Sequence, residues 1–108
     1  MDGWSALALT LACELPLALL LARGLPAQRV LFVAASASAL THPLAWRAAL
    51  LLMPGSYRAG VALIELAVVI AEALWLRAWL SLSLARAAVL SLVVNAASAL
   101  AGWWLWPA

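Results

Sequence analysis

The stretch Gly60–Trp79, GVALIELAVVIAEALWLRAW, decides how the rest of the chain is read. It has the length of a membrane-crossing helix, since about 20 residues rising about 1.5 Å each cover a hydrocarbon core about 30 Å thick. It also carries two glutamates, Glu65 and Glu72, seven residues apart. Seven residues make about two helical turns, so both carboxylates share one face. A soluble amphipathic helix would surround them with further polar residues; here their neighbours are Ala, Val, Ile and Leu. A charged group at the centre of a spanning helix costs about 2.5–3.5 kcal/mol on insertion scales, so these carboxylates need partners or a task.

Working outward, the composition agrees with a membrane setting. Of 108 residues, 69% are hydrophobic and 9% charged, against about 25% charged in ordinary soluble domains. Four apolar stretches predict transmembrane helices over about 4–22, 30–53, 60–79 and 86–106. Together they use nearly the whole chain and leave no room for a soluble domain. The expected fold is therefore an all-α integral membrane protein, one domain of four transmembrane helices in two hairpins, residues 1–54 and 55–108.

The first span places Glu14 near its midpoint and Pro16 two residues on, where an interior proline frees the carbonyl of Ala12 and bends the axis. Met1-Asp2-Gly3-Trp4 lacks the positive start of a signal peptide, so this span is read as retained, although Thr10-Leu11-Ala12-Cys13 superficially resembles a lipoprotein cleavage site. Cys13 is the only cysteine and is expected to be inert. Arg23 to Arg29 reads as a turn broken by Gly24 and Pro26, its arginines reaching the headgroups. The second span could stop at Trp46-Arg47, but Ala48 to Met53 offers nothing polar for a loop. The longer reading puts Thr41-His42-Pro43 at the centre. Pro54 to Arg58 is the second loop and Leu80 to Ala85 the third connection. Trp75, Arg77 and Trp79, and then Trp103, Trp104 and Trp106, have the character of interfacial anchors.

A pattern links the halves. Ser91, Asn95, Ser98 and Gly102 share one face of the fourth span. A shift of 57 residues brings Ala34, Ser38, Thr41 and Ala45 onto the same face of the second, and pairs Arg29 with Arg86 and Trp46 with Trp103. Small residues at that spacing allow close helix approach, and hydroxyls and amides bond across it. An internal repeat is the expectation, with Ser38, Thr41, Ser91, Asn95, Ser98 and Gly102 as helix-packing or polar support.

Placed by depth, Glu14, His42, Glu72 and Asn95 fall near the midpoints of their spans, and Glu65 lies one to two turns nearer one surface. One polar group per helix at a common depth is what a site inside a bundle requires. Glu14, Glu65, Glu72 and His42 are thus candidates to handle protons or an ion, with His42, Glu14 and Glu72 as possible metal ligands. Each has a plainer reading. The glutamates can hold helices in register as hydrogen-bonded groups, and His42 can bond a carbonyl or ligate a haem or chlorophyll-type pigment. No cofactor is required by the sequence.

Enzymatic readings fare poorly. There is no GxSxG or HExxH motif, no glycine-rich phosphate loop, and one histidine, so a hydrolytic triad or zincin site lacks its parts. The six arginines are scattered singly, which offers nucleic acid no basic patch. In length, span number and a membrane glutamate at Glu14 the chain resembles the small multidrug resistance transporters. It departs from them in its additional Glu65, Glu72 and His42, in a single tyrosine placed in a loop, and in lacking that family's later motifs. The likeness is one of format.

Two functions are expected to compete. One is a proton- or cation-handling transporter or channel-like protein. The other is a non-catalytic accessory subunit of a respiratory, photosynthetic or transport complex. In either, the partners are the lipid bilayer and membrane-embedded proteins or further copies of the chain. The arginine distribution places both termini away from the cytoplasm under the positive-inside rule, and a bacterial inner membrane is the expected location.

Overall fold

The computed structural model describes residues 3–52, 55 and 57–105. Among them are four α-helices: α1 (Gly3–Leu21), α2 (Ala27–Leu50), α3 (Tyr57–Leu80) and α4 (Leu84–Leu105). Each packs against its chain neighbours, and α1 also packs against α4, so the helices close into a ring in which diagonal backbones stay apart and meet only through side chains. Short connections make successive helices antiparallel, which is the up-down-up-down bundle. Loop α1–α2 and loop α3–α4 therefore lie together at one end, the closed-loop end. The chain start, loop α2–α3 and the end of α4 lie at the other, the terminal end.

The helices form where expected, with shifted bounds. The second begins at Ala27 and ends at Leu50, three residues earlier at each end than the span read from sequence. Pro26 immediately precedes α2, where its missing N–H costs no helical bond. The third connection is only Ser81 to Ser83, shorter than expected, because Ser83 caps α4 by accepting the backbone N–H of Arg86 on its hydroxyl at 3.1 Å. Ser81 has φ 56°, a left-handed conformation that ends α3 at a non-glycine residue, and Gly24 with φ 95° serves the first loop. Trp106 and Pro107 of the expected tryptophan belt, and Met53, Pro54 and Ser56 near the second loop, lie outside the described residues.

Three helical stretches, Gly3–Leu21, Arg58–Leu80 and Leu84–Gly102, are long and apolar enough to cross a membrane; α2 is not. The physical difference is visible in its sequence, where Gln28, Arg29, Ser36, Ser38, Thr41, His42 and Arg47 interrupt the apolar run.

The interior is divided along its length. Toward the closed-loop end it is a dry apolar plug that includes Ala18, Ala22, Val30, Leu76, Leu80 and Leu90, all buried. Toward the middle and the terminal end the buried side chains become polar: Thr10, Glu14, Ser38, Glu72, Asn95 and Ser98. Within each helix these follow helical spacing, as in Thr10, Glu14 and Ala18 of α1, so one face of each helix supplies both zones. Large apolar side chains such as Phe32, Leu44, Leu63, Val89 and Leu100 point outward and are exposed. That inversion suits an apolar solvent.

Two arginines tie the closed-loop end together. Arg29, at the start of α2, donates from Nε and Nη2 to the Trp79 carbonyl at 3.0 and 2.6 Å. Arg86, near the start of α4, donates from Nη2 to the Arg23 carbonyl at 3.3 Å. Arg29 had been expected to reach for headgroups; instead it and Arg86 each fold onto the C-terminal side of a helix in the other hairpin, where free carbonyls and the helix dipole favour a cation.

Candidate functional site: a buried carboxylate–imidazole centre

The polar zone gathers around Ser38. Its Oγ lies 3.0 Å from Glu14 Oε1 and 3.5 Å from both Glu14 Oε2 and Glu72 Oε2. One hydroxyl from α2 thus sits between a carboxylate of α1 and a carboxylate of α3. His42, one turn beyond Ser38 on the same face of α2, brings Nε2 to 3.9 Å from Glu14 Oε1, near but beyond hydrogen-bond length. Glu14, His42 and Glu72 each offer an atom such that all three atoms lie within 4.8 Å of one another. Three helices contribute to this centre, and α4 supports it through Asn95, whose side chain interacts with Glu72.

Donors are scarce there. A serine hydroxyl carries one proton and can serve one carboxylate at a time. The Asn95 amide Nδ2 donates to the Ser91 carbonyl at 2.8 Å and lies 3.4 Å from Ser91 Oγ. All six arginines are exposed. In consequence His42 Nε2, Glu72 Oε1 and Asn95 Oδ1 are buried without a hydrogen-bond partner. Glu14 and Glu72 are themselves 2% and 3% exposed. Two carboxylates so placed, with acceptors outnumbering donors, require positive charge from outside the chain, as protons or as a bound cation.

Three cavities border the centre. A small one of about 10 Å³ touches Glu14, Ser38 and Glu72. A vestibule of about 200 Å³ lies between α1, α2 and α3 toward the terminal end, lined by Gly3, Trp46, Val61 and Ile64 among others, with Glu65 and His42 in its wall. His42 therefore belongs to both the vestibule and the centre. A side cleft of about 100 Å³ between α2 and α3 reaches Glu72 past Thr41 and Trp75.

Of the residues singled out from sequence, Glu14, His42 and Glu72 come together, and Glu65 stands apart, half-buried in the vestibule wall. The support residues divide. Ser91 donates to the Val69 carbonyl of α3 at 2.7 Å and so joins two helices. Thr41 and Ser98 bond within their own helices, to the Ala37 and Asn95 carbonyls. Gly102 faces α1 loosely, since a Cβ there would stand 4.0 Å from Leu9. Ser38 is more than packing support: it is the hub of the centre. The signal available for it was its spacing, four residues before His42 and 57 before Asn95. Trp75, read from sequence as an interfacial anchor, also donates from Nε1 to Ser36 Oγ at 3.1 Å and ties α3 to α2.

Comparison with protein families, with characterised proteins and with solved structures finds no match for this chain.

Proposed function

We propose that this is a small integral membrane protein that moves or exchanges protons or a small cation at the Glu14–His42–Glu72 centre, and that α2 crosses the membrane with the other three helices. The observation that carries the reading is the convergence of three titratable side chains from three helices, within 4.8 Å, around one serine hydroxyl. A register-holding role would call for paired donors and acceptors, whereas here Glu72 Oε1 and His42 Nε2 are left open. The vestibule extends from the terminal end as far as His42, with Glu65 in its wall. Membrane crossing by α2 is supported by its place between α1 and α3 and by its polar side chains: Ser38 faces the centre, and Thr41 is satisfied by its own helix. We place the protein in a bacterial inner membrane with both termini outside the cytoplasm, acting as a transporter or channel and not as an enzyme.

The test is reconstitution of the full chain into liposomes with an entrapped pH dye, under an imposed ion gradient. Glu72→Gln abolishes proton-coupled flux while the protein keeps its size-exclusion profile. Tolerance of that isosteric change would defeat the proposal, because glutamine can still hydrogen-bond.

The alternative, an accessory subunit of a larger membrane complex, has one observation in its favour. An apolar groove of about 480 Å³ on the outer face of α2 and α3, lined by Phe32, Leu40, Trp75 and Trp79, is wide enough to receive another apolar group. Gentle purification from native membranes separates the two: recovery within a fixed set of larger subunits, or with a chromophore, supports the accessory role.

A further inference from the structure

We infer that the ligand of this centre is a single divalent transition-metal cation of the zinc, manganese or iron(II) class, held by Glu14, His42 and Glu72 and admitted from the terminal end past Glu65. The inference rests on the reading of the centre as a cation-handling site and names the cation.

Size comes first. The space that Glu14, Ser38 and Glu72 share with Ala18, Ala34, Leu76, Leu90 and Val94 is about 10 Å³, the room that one water-sized sphere takes up, and His42 stands just outside its lining. An organic cation does not fit there; a bare metal ion does. Donor type comes next. Two carboxylates and one imidazole form a borderline set, suited to zinc, manganese or iron(II), whereas calcium favours six to eight oxygens and soft ions favour thiolates. Bonds of about 2.0–2.2 Å to a metal bring neighbouring donors to roughly 3.3 Å. The three donor atoms already stand within 4.8 Å of one another, so modest side-chain movement closes the set.

Charge and unmet bonding agree with this. Two carboxylates with a neutral imidazole balance a dication, and no arginine reaches the interior to do so instead. The acceptor atoms Glu72 Oε1 and Asn95 Oδ1 belong to side chains only 3% and 2% exposed and have no donor. Lone pairs lacking donors at a common place are what a cation satisfies and what a hydrogen-bonded strut would not leave behind. Asn95, against Glu72, is placed to orient that carboxylate. The 200 Å³ vestibule reaches as far as His42, whose Nε2 stands 3.9 Å from Glu14 Oε1, and Glu65 lies in the vestibule wall as a first contact.

The experiment is a Co²⁺ titration of the purified full chain in lipid nanodiscs after chelator stripping, followed by visible absorption and then displacement by Zn²⁺. The Cys13→Ser background keeps a thiolate from contributing. The expected result is one Co²⁺ per chain with ligand-field bands of a low-coordinate site, bleached by one equivalent of Zn²⁺, with proton release on binding. Glu72→Gln and His42→Gln should each weaken binding at least a hundredfold at unchanged circular dichroism. Absence of saturable Co²⁺ binding by the unsubstituted protein overturns the inference without any variant having to fold. Binding that survives in both variants overturns it equally. Proton flux in liposomes, measured on the same preparation, separates the two claims. Glu72-dependent flux without metal binding removes the metal and keeps the proposed function; metal binding without flux does the reverse.

Discussion

Ser38 Oγ stands 3.0 Å from Glu14 Oε1 and joins α2 to α1 at the depth of the buried centre. Glu14 is 2% exposed, so within the chain its carboxyl group depends on neighbours in the bundle for hydrogen bonds. Ser38→Ala removes the hydroxyl and leaves that acceptor unpaired, a change worth about 1–3 kcal/mol of stability. Unfolding in detergent by circular dichroism is expected to show this loss. If the centre holds a metal, affinity falls about tenfold as well, the usual size of an outer-shell effect.

The two glutamates of α3 should behave differently although they share a helix face. Glu72 lies in the centre, and Glu65 lines the vestibule half-buried. Glu72→Gln is expected to abolish flux. Glu65→Gln is expected to keep the maximal rate and raise the cation concentration for half-maximal flux roughly tenfold, since it removes one charge near the path, worth about 1.4 kcal/mol. Liposome flux measured against cation concentration distinguishes these outcomes. Equal loss in both variants would contradict the assignment of separate roles.

Access should be one-sided. Ala45 and Val61 line the vestibule, whereas Leu76 and Leu90 lie in the apolar plug. In a Cys13→Ser background, Ala45→Cys and Val61→Cys are expected to react with a charged thiol reagent added at the terminal end. Leu76→Cys and Leu90→Cys should stay unreactive from either side. Labelling of inside-out and right-side-out vesicles also reads which membrane face the terminal end occupies.

The closed-loop end is clamped by Arg29 on the Trp79 carbonyl and by Arg86 on the Arg23 carbonyl. Each is an exposed charge-to-carbonyl contact, so Arg29→Ala and Arg86→Ala should each cost about 1 kcal/mol. Their partners are distinct, and the double variant should lose about the sum. Unfolding midpoints of the two single variants and the double variant check this.

Backbone conformation offers a test in the other direction. Ser81 has φ 56° at the end of α3, where glycine carries no Cβ penalty. Ser81→Gly is expected to raise stability by about 1 kcal/mol. Gly24→Ala, at φ 95° in the first loop, is expected to lower it by a similar amount. Both are read from denaturant midpoints.

How much was legible beforehand differs between the fold and the centre. Four helices could be read because their signal is local: apolar runs of sufficient length, broken by Gly24-Leu25-Pro26 and by the polar residues around Gly55. Glu14, His42 and Glu72 stood out because an ionisable residue amid apolar neighbours is conspicuous at any stage. The start of α4 was misjudged because a cap is a single hydrogen bond, Arg86 N–H to Ser83 Oγ, with only a serine to announce it. Ser38 was undervalued because a lone serine in an apolar helix most often marks close packing.

The sequence by itself determined the apolar character, the approximate positions of the helices and the place of each polar side chain along its helix, because length, hydropathy and 3.6-residue periodicity are properties of each segment alone. Only the tertiary structure decided which of those side chains meet. Rotation of each helix about its axis, and the ring order of α1 to α4, bring Glu14, His42 and Glu72 within 4.8 Å while leaving Glu65 in the vestibule wall. The same packing set Arg29 and Arg86 on carbonyls of the other hairpin. Such meetings depend on contacts between residues 24 to 63 positions apart, and no local pattern in the chain encodes them.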